Sequence, residues 1–427
     1  MRRVAVTGIG LISPLGNSCA EALASATAGR SAIRRIDTPW SGRLAAPLAA
    51  RVRFEAEEHF PAPRIRMLDR VSQLALVATQ QAIGESRLDL AAADRTRVGV
   101  FIGTGMGGAL TTDEGYLALY RDGCERVKPF TVLMGMTNAP AAWIGIEHAL
   151  TGPNLTYSTA CSSSAVAIGE AWLRLRRGEI DIAITGGSEA PLSYGALKAW
   201  EALRTLASED PRDPAASCKP FAADRSGLVL AEGAAILVLE EWERAIARGA
   251  TIHGEILGYG LATDAAHITR PSIAGQAAAM RSALHSAALP ADAIDSINAH
   301  GTGTQANDSV ETAAIKEVFG EQAHRIPVSA TKAIHGHLLG ATAALELALA
   351  LLALQQDVLL PTMHLKERAP DCDLDYVPNA ARSGAGARTV MSSSFAFGGT
   401  NAVLVAARRG AEHPDSAGGN QRHSAAG

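Results

Sequence analysis

Cys161 lies in Ser158-Thr-Ala-Cys-Ser-Ser-Ser-Ala165, between a short β-leaning run (Leu155, Thr156, Tyr157) and a helical stretch reaching about Arg177. That stretch sets Val166, Ile168, Ala171, Trp172 and Leu175 on one apolar side. It closes on Arg174, Arg176, Arg177 and Gly178, a good C-terminal signature. A thiol at such a helix start faces unpaired backbone N–H groups and the positive end of the macrodipole. Both are expected to lower its pKa and favour thiolate. The same N–H groups can hold an oxyanion. Position alone leaves a second reading open, that of a buried structural cysteine.

Two histidine contexts stand beside it. His300 sits in Asn298-Ala-His-Gly-Thr-Gly-Thr304, after a strand and within a glycine-threonine turn. Lys332, His335 and His337 sit in Thr331-Lys-Ala-Ile-His-Gly-His-Leu-Leu-Gly340, which opens an apolar helix. A glycine-rich turn, Phe395-Ala-Phe-Gly-Gly-Thr-Asn401, follows a strand at 388–394. In open α/β sheets chemistry gathers at the carboxyl ends of strands, and these segments all occupy such ends. One cysteine with separated histidines is the pattern of nucleophilic acyl transfer. A Cys-His hydrolase would also need a base-orienting group, which the sequence does not supply. No metal site is expected: positions i and i+2 do not share a helix face, and no nearby carboxylate completes a set with His335 and His337.

Gly103-Thr-Gly-Met-Gly-Gly108 follows a strand at 98–102 and fits G-x-G-x-x-G. A dinucleotide site also wants an acid about 20 residues on, and Asp113 and Glu114 come too early. The better reading is a glycine-lined turn where two backbones approach.

The elements that must position these residues alternate along the chain. Strands are expected at Val4–Gly8, 98–102, 180–185 and 228–239, with helices at about 18–28, 70–83 and 241–248. After a boundary near residue 250, strands at 252–258, 296–299, 326–329, 388–394 and 402–406 alternate with helices at 274–288, 309–319 and 338–356. Such alternation indicates a layered α/β fold with largely parallel central strands. Residues 30–63, with four prolines, read as irregular, and 409–427 as a disordered tail. At 427 residues the chain exceeds one ordinary core, so two domains or a duplicated one are expected. A net charge of −4 argues against a nucleic-acid binder. Five cysteines without paired spacing fit a reducing, cytoplasmic setting. Gly8, Gly10 and Pro14 interrupt the apolar start, which reads as a strand and turn rather than a signal segment. Leu338–Leu354 is too short for a membrane span and reads as a buried helix.

Taken together, the motifs resemble the β-ketoacyl-[acyl-carrier-protein] synthases of the elongating, synthase II-like class. The resemblance covers about residues 3–407 and rests on motifs in family order: Val6-Thr-Gly-Ile-Gly10, Gly103–Gly108, Ser158–Ser163, Gly186-Gly-Ser-Glu-Ala190, Lys219-Pro-Phe221, Asn298–Thr302, Lys332 with Gly336–Gly340, and Phe397–Asn401. It implies a thiolase-like five-layered αβαβα fold of two pseudo-repeated halves, 1–250 with the cysteine and 251–408 with the histidines. It implies a dimer, either a homodimer or a heterodimer with a chain-length subunit, and acyl carrier protein as partner. No nucleic acid, no membrane span and no cofactor beyond the substrate's phosphopantetheine arm are expected.

By the same resemblance, Cys161 takes the acyl group, and the N–H groups of Cys161 and Phe397 hold its oxyanion. His300 and His337 hydrogen-bond the malonyl thioester oxygen as neutral imidazoles. Lys332, Glu311 and Glu346 are electrostatic and structural supports. Thr302, Thr304 and Thr269 contact the pantetheine arm. Met106 lines the inner acyl pocket or fills core, and Phe395, Ala396 and Phe397 form the gate. Arg64, Arg66 and Arg70, clustered at a helix start, read as a carrier-protein dock or a solvated face. The chain departs from the family pattern at Ala396 (usually Gly), Ser226 (usually Asp), Arg270 (usually small) and the added His335. The implied reaction is decarboxylative condensation in fatty-acid or polyketide elongation; the alternative is a non-catalytic chain-length subunit.

Overall fold

The computed structural model describes residues 1–410. From Ala411 onward, the tail expected to be disordered lies outside the described residues. Ten strands form one large sheet: β1 (Val4–Ile12), β2 (Val98–Gly103), β3 (Asn154–Tyr157), β4 (Ile182–Glu189), β5 (Gly233–Glu241), β6 (Gly254–Thr263), β7 (Ser296–Asn298), β8 (Val328–Ser329), β9 (Thr389–Phe395) and β10 (Thr400–Ala407). Their spatial order is β8-β7-β9-β10-β6-β1-β5-β4-β2-β3. Outward from the centre the order repeats, as β1-β5-β4-β2-β3 on one side and β6-β10-β9-β7-β8 on the other. Pairing repeats as well. In each run the first two contacts are antiparallel and the last two parallel. A short antiparallel ladder, Ala5 with Glu255 and Val6 with Gly254, joins the two runs.

The expected largely parallel centre is therefore corrected: the central strands are antiparallel, and the parallel pairs lie on the two flanks. The reason is visible at β9 and β10. A four-residue turn joins them, and so short a link permits only an antiparallel pair.

Six helices position the site: α1 (Cys19–Thr27), α2 (Arg70–Ser86), α3 (Ser163–Arg176), α4 (Ile273–Ala287), α5 (Gln305–Phe319) and α6 (Thr342–Gln355). α2 covers β1 and β5, and α4 covers the equivalent β6 and β10. α3 and α6 pack on each other, and each touches strands of both runs. The layers are thus α2, strands, α3 with α6, strands, α4, which is the αβαβα arrangement. A helix packed between the two runs of strands has no solvent face, and this explains the α6 sequence. Twelve of its fourteen residues are buried, Glu346 among them. Among the described residues no helix is long and apolar enough to cross a membrane.

Several elements lay outside the sequence expectation. Helices Ala109–Tyr120, Thr131–Gly135, Ala139–Glu147 and Tyr194–Ala202 fill stretches left unassigned. The segment read as irregular holds a hairpin, Ile33–Arg35 with Leu48–Ala50. Residues 228–231, expected as strand, instead bridge singly to Leu206, His337 and Ala50.

The glycine-rich stretch after β2 is the close approach that the sequence favoured over a dinucleotide site. A Cβ on Gly103 would lie 2.3 Å from Ser164 N and 2.4 Å from Ser163 C, at the start of α3. One on Gly340 would lie 2.4 Å from Gly105 N. Backbone meets backbone here, immediately behind Cys161. Gly103→Ala is expected to destabilise the fold by about 1–3 kcal/mol, the usual range for overpacking, as measured by denaturant unfolding.

Candidate active site

Cys161, His300, Lys332 and His337 each stand just past the carboxyl end of a strand. Cys161 follows β3 through a short 3-10 turn, Ala160–Ser162, and then α3 begins. Ala160 enters the left-handed region at φ 52, a strained conformation for a residue with a Cβ. His300 follows β7. Lys332 and His337 follow β8 and lead into α6. β3 and β8 are equivalent strands of the two runs, so the pseudo-repeat itself sets the cysteine opposite the lysine and histidine. Phe395 ends β9, and Phe397 lies in the turn to β10.

Cys161 Sγ and one ring nitrogen each of His300 and His337 lie within 4.8 Å of one another. The two imidazoles are edge to face, with centroids 5.5 Å apart. All three residues are buried, and they line a cleft of about 530 Å³ that opens to solvent. Thr269, Thr302, Thr304, Arg270, Phe395, Ala396 and Phe397 also line it. Thr302 Oγ1 and Thr304 Oγ1 are 2.8 Å apart. Buried Arg225 braces this wall by donating to the Thr304 carbonyl at 3.1 Å.

The His337 tautomer follows from its neighbours. Its Nδ1 accepts the Leu339 N–H at 3.1 Å and lies 2.8 Å from Thr342 Oγ1. With Nδ1 acting as acceptor, the neutral ring carries its proton on Nε2. That Nε2 is buried and has no hydrogen-bond partner among the described residues. A buried unpaired donor costs about 1–3 kcal/mol, so a ligand oxygen that accepts from it recovers that loss. His300 is positioned through its backbone. Its own N–H and that of Gly301 donate to Glu311 Oε1 and Oε2 at 2.7 and 2.8 Å. Glu311 is fully buried on α5 and shapes the turn without lining the cleft.

Burial holds both imidazoles well below their ordinary pKa; the Lys332 charge adds to this, and so does a neighbouring histidine in each case. They stay neutral at physiological pH. For Cys161 the expectation of a lowered pKa is overturned. Burial pushes the thiol up to about 11, against the downward pull of Lys332 and of the backbone N–H groups of Phe397 and Cys161 itself. The helix start is real, but desolvation outweighs it. The backbone N–H groups of Phe397 and Cys161 pull against that rise, so they lie near enough to favour negative charge beside the sulfur.

Lys332 points away from the cleft. Its Nζ donates to Glu346 Oε1 at 2.7 Å, and both groups are buried. His335 belongs to this rear network, with Nε2 2.9 Å from Thr331 Oγ1 and 3.7 Å from Glu346 Oε1. It does not line the cleft, whereas His337 does. Burial and Lys332 bring His335 down to about 3. Below the unfolded value of 6.5, the unfolded chain binds a proton that the folded chain refuses. Stability is therefore lost as pH falls from 6.5 toward 3. Between pH 8 and pH 5 this one group accounts for about 2 kcal/mol. His335→Gln is expected to remove that share of the acid sensitivity, as read from unfolding curves at the two pH values.

The other sequence candidates divide. Ala396 is not in the left-handed region; the turn uses Gly398 (φ 88) and Gly399 (φ 79) for that, so alanine is accommodated there without strain. Met106 sits outside the cleft lining, in an apolar cluster with Leu228, which does line it. Arg70 is corrected as a docking residue. It is half-buried and makes two hydrogen bonds to buried Glu232, at 2.8 and 2.9 Å. Arg64 pairs with Glu147 at 2.7 Å and lies over the Trp143 ring. Arg66 is exposed, with no ion-pair partner among the described residues.

Sequence reasoning missed Glu189, although it stands in a motif already singled out. Fully buried, it accepts the N–H groups of Gly105, Met106 and Gly340 at 2.6, 3.0 and 3.0 Å. It ties the glycine-rich turn of one half to the loop after His337 in the other. Burial pushes its carboxyl up to about 7 despite these donors.

Residues 1–245 match the β-ketoacyl synthase N-terminal domain, and residues 253–366 match the C-terminal domain. Nodulation protein E of Rhizobium leguminosarum bv. trifolii is 43% identical over 404 residues, 95% of this chain and 98% of that protein. 3-Oxoacyl-[acyl-carrier-protein] synthase 2 of Staphylococcus aureus (strain COL) is 40% identical over 410 residues, again 95% and 98%. Among solved structures, the ishigamide ketosynthase/chain length factor superposes with a TM-score of 0.88 at 35% identity, covering 96% of this chain and all of that one. On the strength of two domain matches in order and relatives aligned over nearly their whole length, the chain belongs to the β-ketoacyl synthase family.

Proposed function

We propose that the chain is an elongating ketosynthase. It would condense an acyl group held on Cys161 with malonyl-acyl-carrier-protein, release CO₂ and give 3-oxoacyl-acyl-carrier-protein. The observation that carries this reading is the unpartnered Nε2–H of His337 beside the Cys161 sulfur and a second neutral imidazole. In the first half-reaction the Cys161 sulfur attacks the acyl thioester carbonyl. The carrier thiol leaves with the cysteine proton, and the N–H groups of Cys161 and Phe397 hold the oxyanion. In the second, malonyl carrier loses CO₂. Negative charge then develops on its thioester oxygen, where His337 Nε2–H and the His300 ring can donate to it. The resulting enolate carbon attacks the acyl carbonyl and expels Cys161 as thiolate, which takes a proton from water to restore the thiol. Neutral donors serve throughout, in keeping with the depressed pKa of both rings.

The Cys161, His300 and His337 atoms also fall within the span of a metal site. A thiol held up near 11 and a His337 Nδ1 committed to Leu339 make a poor ligand set. Condensation is expected to survive chelator treatment unchanged. A non-catalytic chain-length role is not favoured, since the nucleophile and both imidazoles are in place. All five cysteines are free, which suits a reducing cytoplasm.

Exposed apolar residues cluster between 116 and 155 (Tyr116, Tyr120, Phe130, Val132, Leu133, Ile146, Leu155), beside the unpaired edge of β3. This face supports a dimer. For the carrier protein, Arg66 is the docking residue left free. Arg66→Glu is expected to raise the carrier KM several-fold at low ionic strength, with the difference fading at high salt. The function itself is tested by supplying purified protein with acyl and malonyl carriers. Product and CO₂ should appear only when both are present.

A further inference from the structure

The small hairpin and its flanks carry charges that condensation does not use. Ile33 pairs with Ala50, Arg34 with Ala49 and Arg35 with Leu48. Alternation along the strands turns Ile33, Leu48, Ala50 and Val52 inward, and all four are buried. Arg34 lies on the opposite face, and Arg30, Arg51 and Arg53 flank the strands at their ends; Arg35, paired with Glu209, lies beside them. Arg30, Arg34, Arg51 and Arg53 are exposed. They line a groove of about 1580 Å³, whose other wall is the Ser13–Asn17 turn and α1. The groove shares no lining residue with the catalytic cleft.

Among the described residues Arg30, Arg34 and Arg53 have no ion-pair partner. Arg30 reaches Ser25 Oγ, and Arg34 donates to the carbonyls of Ser31 and Ile33. Arg51 stands 3.9 Å from Glu232, a carboxylate already held twice by Arg70. Glu21, the acid in the groove wall, is turned to the Asn17 N–H at 2.9 Å. Four like charges around one groove repel unless an anion joins them, and the chain as a whole is net negative. Guanidinium forks match phosphate oxygens in pairs. A concave groove does not fit a flat membrane surface.

We propose that this groove binds a compact ligand bearing clustered phosphates, the chemistry shared by a nucleoside polyphosphate and the nucleotide end of coenzyme A. Isothermal titration at about 0.15 M ionic strength would use tripolyphosphate, ATP, coenzyme A, adenosine and apo carrier protein as probes. Saturable binding of a phosphate probe is expected, with Kd raised at least tenfold in Arg34→Ala/Arg53→Ala and less in the Arg34→Lys/Arg53→Lys variant. Adenosine alone should not bind. Tighter binding of ATP or of coenzyme A identifies the source. Unchanged acylation of Cys161 in the double variant establishes that it is folded. Three results would overturn the proposal: no phosphate probe binds, phosphates bind the double alanine variant equally well, or only the carrier protein depends on Arg34 and Arg53.

Discussion

Cys161→Ala is expected to abolish acyl-enzyme formation and to lower condensation by at least about 10⁴-fold, in line with the loss of a nucleophile from other covalent sites. The size of the effect follows from the cleft. Among the described residues Cys161 is the one cysteine lining the cleft, so no second thiol stands ready. Cys218 is buried against the Thr302 carbonyl at 3.8 Å and lies outside the cleft lining. Its thiol is pushed up to about 12 by burial. Fold integrity is checked by circular dichroism and by unchanged carrier-protein binding. The substitution removes one sulfur atom from a site that the surrounding backbone already fixes, so the fold should persist. An alanine variant that still condensed at the wild-type rate would remove Cys161 from the mechanism.

His337→Ala should separate the two half-reactions. The ring donates from Nε2 and is held through Nδ1 by Leu339 and Thr342. Its donor matters most where charge develops on the malonyl thioester oxygen, so decarboxylation and condensation are expected to fall by about 10²–10³-fold. Transfer of the acyl group to Cys161 relies on the N–H groups of Cys161 and Phe397 and should fall far less. Stopped acylation and ¹⁴CO₂ release, measured on the same preparation, distinguish the steps. Equal loss in both would mean that His337 serves the thiol instead. Because both imidazoles are held neutral by burial, the rate should not fall with their protonation until well below pH 6.5.

The chemistry was more legible than the setting. Cys161, His300, Lys332 and His337 could be read because reactive residues at strand ends, the two histidines each beside glycine, have few other reasons to be there. The two-half organisation was visible in the alternation of strands and helices. Strand direction was not, since the hydrophobic pattern of a strand buried on both faces is the same in either direction. Desolvation also leaves no local mark. The sequence around Cys161 shows a helix start and argues for a low pKa, while the burial that raises it comes from residues far along the chain. Glu189 and Arg70 were misjudged for the same reason. Glu189 is defined by three N–H donors from two distant loops, and Arg70 by Glu232, 162 residues away. The hairpin at 33–50 was lost among prolines because each of its strands is three residues long.

The central claim is that Cys161 holds the growing chain while the histidine pair activates malonate. The most direct test is a single-turnover chase followed by intact-protein and peptide mass spectrometry. The protein is first incubated with an acyl carrier protein and the adduct is mapped. Malonyl carrier protein is then added. The account predicts an acyl mass on the peptide carrying Cys161, and its disappearance on the chase with stoichiometric CO₂. The malonyl carrier should then bear a 3-oxoacyl chain two carbons longer than the original acyl group. An adduct on another residue, or an acyl group that leaves Cys161 only as free acid, would contradict it.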